Sequence, residues 1–305
     1  MRARTVEAVD SRTEIRDFLT SRRARISPEQ AGLPVYGGNR RVAGLRREEV
    51  AMLAGVSVDY YTRLERGNAT GVSDTVLEAL ARALHLDEAE RAHLFDLAHA
   101  GNTPTATPTR RRPARQQVVR PGVQRLLDAM TMAPAYVRNG RLDILATNAL
   151  GQAVFAPIFA DPGRPANIAR FIFLDPAAQD FYVEWEQMAS DTVALLRGEA
   201  GRDPYNRALT DLVGELSTRS DPFRTWWAAH NVRLHRTGTK RLRHPVVGEL
   251  TLAYESMEPT ADPGLRLNAY SAEPGSPSQD ALNLLASWAA AATPAPDRPA
   301  TSPAE

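Results

Sequence analysis

Two stretches of this sequence hold side chains whose types and spacing can do chemistry. The first, GVSVDYYTRLERGN, places Ser57, Val58, Asp59, Tyr60, Thr62, Arg63, Arg66 and Asn68 around a few apolar positions. Hydroxyls, a carboxylate, an amide and forked guanidinium donors are groups that read hydrogen-bonding edges. The second is His93, Asp96 and His99, spaced three and three along an apolar-periodic segment. From end to end that is more than one helical turn, so one face cannot present all three well to a metal ion. His230, His235 and His244 lie among Arg and Trp with no evident carboxylate partner. There is no cysteine, so thiolate ligands, thiol nucleophiles and disulfides are all excluded. No GxSxG, Walker A, HExxH or post-strand GxGxxG pattern occurs either. No enzyme activity, metal or cofactor is expected.

The first stretch needs elements that turn its polar residues outward. Val50, Ala51, Leu53 and Ala54 form the inner stripe of one helix, and Gly55 follows where a left-handed residue ends a helix at little cost. Val56 fills the corner, and Ser57 can cap a second helix. In that helix Tyr61 and Leu64 face inward, leaving Val58, Asp59, Tyr60, Thr62 and Arg63 outside. Two helices crossing steeply through a short Gly-containing turn describe a helix-turn-helix, whose second helix can enter a DNA major groove. The bland alternative is an αα-hairpin in a helical interaction domain.

Other helices must hold this pair. Thr13–Arg25 puts Ile15, Phe18, Leu19 and Arg22 on one side, Ser73 or Asp74 caps a strongly periodic run to His85, and Asp87 with Glu90 forms a capping box for a last helix. Residues 1–120 carry a net charge of +5 and the remainder −4, a polarity that suits an N-terminal nucleic-acid module. GNTPTATPTRRRP then lacks periodicity and reads as a semi-extended linker. Beyond it, an Asn-Gly turn joins Tyr136–Val137 to Leu142–Ala146, and strand signals return at Thr239–His244, Gly248–Glu255 and Leu265–Tyr270. Between them come a short helix at Asn148–Phe155, one long helical stripe running from Asp175-Pro176 to Leu196, and helices at Tyr205–Leu216 and from Asp221-Pro222. A closing helix spans Ser278–Ala292. Five strands, two early and three late, predict one antiparallel sheet with helices on a face. No signal peptide or membrane span is visible, and a cytoplasmic location is expected.

Leu64-Glu65-Arg66-Gly67 resembles the hydrophobic-Glu-x-Gly end of the recognition helix in the Xre/Cro-type helix-turn-helix family, over Leu45 to about Leu86. GLRREEVAMLAGVSVDYYTRLERG, together with FIFLDP (171–176), RHPVVGELTLAYES (243–256) and AYSAEPGS (269–276), is similar to a narrower group, the MmyB-like transcriptional regulators. The resemblance implies a multidomain chain. An all-α, λ-repressor-like helix-turn-helix bundle (10–100) is followed by a linker (101–119), an α+β PAS-like ligand-binding domain with an antiparallel sheet (120–292) and a disordered tail (293–305). Thr147 departs from the Trp usual in that group, which suggests a different effector.

Roles follow from the helix-turn-helix reading. Val58, Asp59, Tyr60 and Arg63 are candidates for base edges, with Ser57 at the same helix end; Arg46, Arg47, Thr62, Arg66 and Asn68 are candidates for phosphates. Arg40, Arg41 and the linker arginines are either further contacts or solvated charge. One helix reads too few base pairs to find a genomic site, so a homodimer on an inverted repeat of double-stranded DNA is expected. In the second domain the resemblance implies a fatty-acid-like effector, with Phe155, Phe171, Phe173, Trp185, Met188, Trp226, Trp227 and Tyr254 as candidate pocket residues or simply core. Arg233, His235 and Arg243 are candidate anchors for a carboxylate at its mouth. The alternative is an adaptor whose second domain binds a protein and no small molecule.

Overall fold

Gly55 takes the left-handed conformation at φ 66° and ends one helix, and Ser57 opens the next by accepting from the Tyr60 amide at 3.1 Å. These caps set the first domain of the computed structural model, which describes residues 11–34, 42–102, 117–162, 164–229 and 237–292. Five helices build it: α1 Ser11–Arg25, α2 Arg47–Ala54, α3 Val58–Glu65, α4 Asp74–Ala83 and α5 Glu88–Asn102. Ile15, Phe18, Leu19, Tyr61, Leu64, Leu77, Leu80, Leu94 and Leu97 bury against one another in its core. The expected caps form, since Ser73 Oγ accepts from the Val76 amide and the Asp87 and Glu90 side chains accept from each other's amides. Leu53 departs from the expected inner stripe at 37% exposure. With only two turns in α2, Val50, Ala51 and Ala54 suffice to cover the core, and Leu53 is left at its edge.

The second domain begins with α6 Pro121–Ala129 and the hairpin β1 Ala135–Asn139, β2 Ile144–Thr147. A helical insertion follows: α7 Ala149–Val154, a 3-10 turn at Ala156–Phe159, α8 Ile168–Leu174, α9 Ala177–Phe181, α10 Trp185–Arg202, α11 Arg207–Arg219 and α12 Asp221–Ala228. Then come β3 Thr237–His244, β4 Gly248–Met257, β5 Leu265–Ser271 and α13 Pro277–Ala292. The strands form one antiparallel sheet in the order β2-β1-β5-β4-β3, which places the first hairpin beside the last strand.

Two features differ from the sequence expectation, and one helix falls where the sequence predicted no element. The stripe from Asp175 onward is two helices, because Tyr182 pairs with Leu242 of β3 as an isolated bridge and the chain restarts at Trp185. FIFLDP lies on α8 and its exit, a helix whose Ile168, Ala169, Phe171, Ile172 and Phe173 are all buried and whose one polar side chain, Arg170, pairs with Glu215 at 2.8 Å. Helices also cover both faces of the sheet. Tyr136, Leu252, Tyr254 and Tyr270 meet the large helical layer, while Val137, Leu265 and Leu267 are closed off by Leu127 of α6.

The two domains touch through α10, which packs against α5. Arg197, 1% exposed, donates to Glu14 of α1 at 2.5 Å and to the Trp227 carbonyl, with its guanidinium 4.1 Å from the centre of the Trp227 ring. Gly201 is needed at this contact, since an added Cβ would lie 2.5 Å from the His93 ring. Among the described residues no helix is long and apolar enough to cross a membrane.

Candidate nucleic-acid interface and effector cleft

On α3 the inner side chains Tyr61, Leu64 and Glu65 are buried. Ser57, Val58, Asp59 and Arg63 are exposed, as are Arg66 and Asn68 beyond the helix, while Tyr60 and Thr62 are half-buried. The Arg63 guanidinium sits 4.8 Å from the Tyr60 ring centre, one turn away. That contact holds Arg63 in an outward pose and reduces the freedom it would lose on binding. Arg46 is exposed and its amide donates to Glu49 at 2.6 Å, at the positive end of α2.

Arg47 makes a contact that spacing did not reveal. Its Nε donates to Glu65, and Arg23 of α1 donates to the other Glu65 oxygen at 2.5 Å. The glutamate of the Leu-Glu-Arg-Gly signature is thus a buried clamp joining three helices. Gly67 completes the signature at φ 88°, where an added Cβ would strike the Arg12 carbonyl at 2.2 Å. The three residues first weighed as a metal site go separate ways. His93 packs edge-on to Phe18 at 5.1 Å, His99 bonds Asp74 at 2.9 Å, and Asp96 lies 3.9 Å from Arg202.

In the second domain the candidate aromatic residues divide. Phe155 packs on Tyr136 and Tyr270, Phe173 on Phe223 and Trp226, Trp185 on Trp226, and Trp227 stacks on Phe223. Phe171 packs on Phe181 and Tyr182 and edges a surface cleft of about 180 Å³. Met188 and Tyr254 instead wall a cleft of about 430 Å³ between α10 and the β3–β4 edge, with Glu184, Gln187, Asp191 and Lys240. Arg243 does not line it and lies 3.8 Å from Glu249. Thr147 is tied to the Ala135 carbonyl at 3.0 Å, at the β2 edge, and is not a cleft residue. His244 accepts from the Val246 and Val247 amides at Nδ1, and Nε2 bonds the Ala153 carbonyl at 3.1 Å, so burial holds the ring neutral in a structural role. Arg40, Arg41, Arg233, His230, His235, the linker arginines Arg110–Arg112 and the tail 293–305 lie outside the described residues.

Behind the cleft sit residues that sequence reasoning missed. Lys240 is 8% exposed, and its ammonium donates to the Tyr270 hydroxyl at 3.2 Å and lies 4.9 Å from the Tyr254 ring centre. Burial lowers its pKa to about 7, helped by the charge of Arg138 and opposed by that of Asp191. Arg138, 3% exposed, is likewise depressed by burial. The strand alternation signals only that both face the helical layer; nothing local says that they meet.

A helix pair with a solvated recognition face, docked on a sheet domain with its own cleft, defines the class: a two-domain DNA-binding regulator of the helix-turn-helix type. Residues 14–94 match the helix-turn-helix domain family, and residues 119–285 match the MmyB-like transcription regulator ligand binding domain. The chain therefore belongs to the MmyB-like transcription regulators and carries an N-terminal helix-turn-helix. A comparison with curated proteins returned no match.

Proposed function

We propose that the protein is a homodimeric, sequence-specific transcription regulator that reads an inverted repeat with α3 and is modulated by a small molecule in its second domain. The outward face of α3 carries the reading: Val58, Asp59 and Arg63 are solvated while their neighbours Tyr61 and Leu64 are buried. Arg63 forks onto a guanine, Asp59 and Tyr60 sit at its flanks, and Arg46, Arg47, Thr62, Arg66 and Asn68 hold phosphates. Two copies set half-sites roughly 34 Å apart. The five-stranded antiparallel sheet and its helical insertion support the PAS-like reading. A non-enzymatic role in the cytoplasm, where DNA is available, accords with both domains being of regulator type.

Tyr60→Ala/Arg63→Ala is expected to weaken operator binding by about 1–3 kcal/mol and to relax base selectivity. Arg46→Ala should lower affinity evenly on all sequences and reduce the salt slope by about one. Fluorescence anisotropy on a selected operator, across salt concentrations, checks both, with circular dichroism as the folding control. Undiminished selectivity in the double variant would remove the interface from α3.

Helix α10 supports a route for modulation, because Met188 and Asp191 wall the cleft while Arg197 and Gly201 dock on the first domain. Arg197→Met leaves Glu14 without its buried cation, a loss of about 3 kcal/mol from the docked state. Scanning calorimetry of the full chain should then resolve two transitions that are closer or merged in the parent. The effector that the family resemblance suggests is fatty-acid-like and apolar. The adaptor reading has one observation in its favour, Leu284 and Trp288 exposed one turn apart on α13. Native mass spectrometry of the purified chain separates the two by the presence or absence of a copurified small molecule.

A further inference from the structure

The floor of the α10–β3 cleft holds polar groups that the fold itself does not satisfy. A small cavity of about 20 Å³, with room for roughly one water-sized group, is lined by Tyr136, Arg138, Asp191, Lys240 and Asn268 among others. It shares Met188, Asp191 and Lys240 with the outer cleft, so Lys240 stands at the partition. Arg138 Nη2 and Asn268 Oδ1 are buried there without a hydrogen-bond partner. Neither Arg138 nor Lys240 makes an ion pair among the described residues. Buried charge is tolerated only when it is paired, and an unpaired buried cation in a cleft invites an anion.

We propose that this floor binds a compact hydroxy-carboxylate, its two carboxylate oxygens between Arg138 and Lys240 and its hydroxyl donating to Asn268. The proposal rests on the reading of the second domain as an effector domain and replaces the apolar chemistry suggested for the effector. Charge selects the head. Asp191, the acid lining this floor, also accepts from Gln187 at 2.8 Å and makes no ion pair with Arg138 or Lys240, so the two cations face the cavity without a carboxylate of their own. The pairing of functions selects the hydroxyl, since an orphaned acceptor beside an orphaned donor calls for a ligand carrying both functions.

The walls select the size. Glu184, Gln187, Asp191, Thr237, Thr239 and Arg241 make the outer cleft polar, and Met188 and Tyr254 offer one apolar patch. A long acyl chain laid there would strip water from these groups without bonding them. A short body rests on the patch and leaves the rim hydrated.

The test uses the full chain and three probes by isothermal titration calorimetry: salicylate, benzoate without the hydroxyl, and decanoate with a long chain. Saturable salicylate binding is expected, with benzoate weaker by about tenfold. Arg138→Met and Lys240→Met should each weaken salicylate at least tenfold. If Arg138→Met does not fold, Lys240→Met still decides, because it removes a charge that burial opposes. Salicylate that does not saturate, or that binds both variants as it binds the parent, overturns the proposal. Decanoate binding that neither substitution weakens also overturns it, while leaving the domain an effector domain. If no probe binds and no small molecule copurifies with the chain, the effector reading falls as well.

Discussion

Glu65→Ala is expected to destabilise the first domain by about 3–5 kcal/mol, the usual cost of breaking a buried ion pair from one side. The Glu65 carboxylate is 1% exposed and joins α1 and α2 to α3 through Arg23 and Arg47. It also sits beside Tyr61, whose phenol is pushed well above its ordinary range by burial first and the Glu65 charge second. Without the carboxylate, Arg23 keeps its charge in a site 14% exposed and retains only the neutral Leu45 carbonyl, to which it donates at 2.8 Å. For a small domain this is a large share of a total of about 5–15 kcal/mol, and a drop in Tm of at least about 12 °C follows. Thermal unfolding followed by circular dichroism measures it. A loss below about 1 kcal/mol would mean that the clamp is solvated in solution. On the proposed DNA interface, Arg47→Ala is expected to lower both stability and DNA affinity, and Arg46→Ala chiefly DNA affinity.

The opposite sign is expected at Lys240. Replacing it with Met should stabilise the unliganded protein by about 3 kcal/mol at pH 7 and below, because an apolar side chain of similar length takes the place of a desolvated charge. The sign follows from proton binding. Lys240 titrates near 7 in the folded chain and near 10.5 when unfolded, so the unfolded state holds the proton more tightly between those values. Stability of the parent therefore rises with pH across that window, and the cost of the buried charge is fully present below it. The advantage of the variant should shrink by about 1.4 kcal/mol per pH unit from pH 7 to 9. Urea unfolding of parent and variant at three pH values tests this. A constant difference would mean that the ammonium is not buried as described.

The first domain was legible because its signals are local. Gly55, Ser57, Ser73, Asp87 and Glu90 act within one turn of their own positions, and each cap appears where the sequence placed it. The strands were legible for the same reason, through alternation and the Asn-Gly turn. The α9–α10 region was misread where a tertiary contact overrides periodicity: the Tyr182 bridge to β3 interrupts a stripe that three-and-four spacing would continue. Several large aromatic residues read as possible pocket walls pack on one another instead, and aromatic size alone does not distinguish a core from a cavity.

The bend at Gly55 and the outward set on α3 were decided by the order of residues alone, since helix caps and a 3.6-residue period need no distant partner. The meeting of Arg138 with Lys240, the Glu65 clamp and the Arg197 dock were decided only by the tertiary structure. Each unites groups from separate elements, and which charges meet depends on strand order and helix packing that no short stretch encodes. Burial then turns those meetings into energy, because removing water is what makes an ion pair, or an unanswered charge, matter.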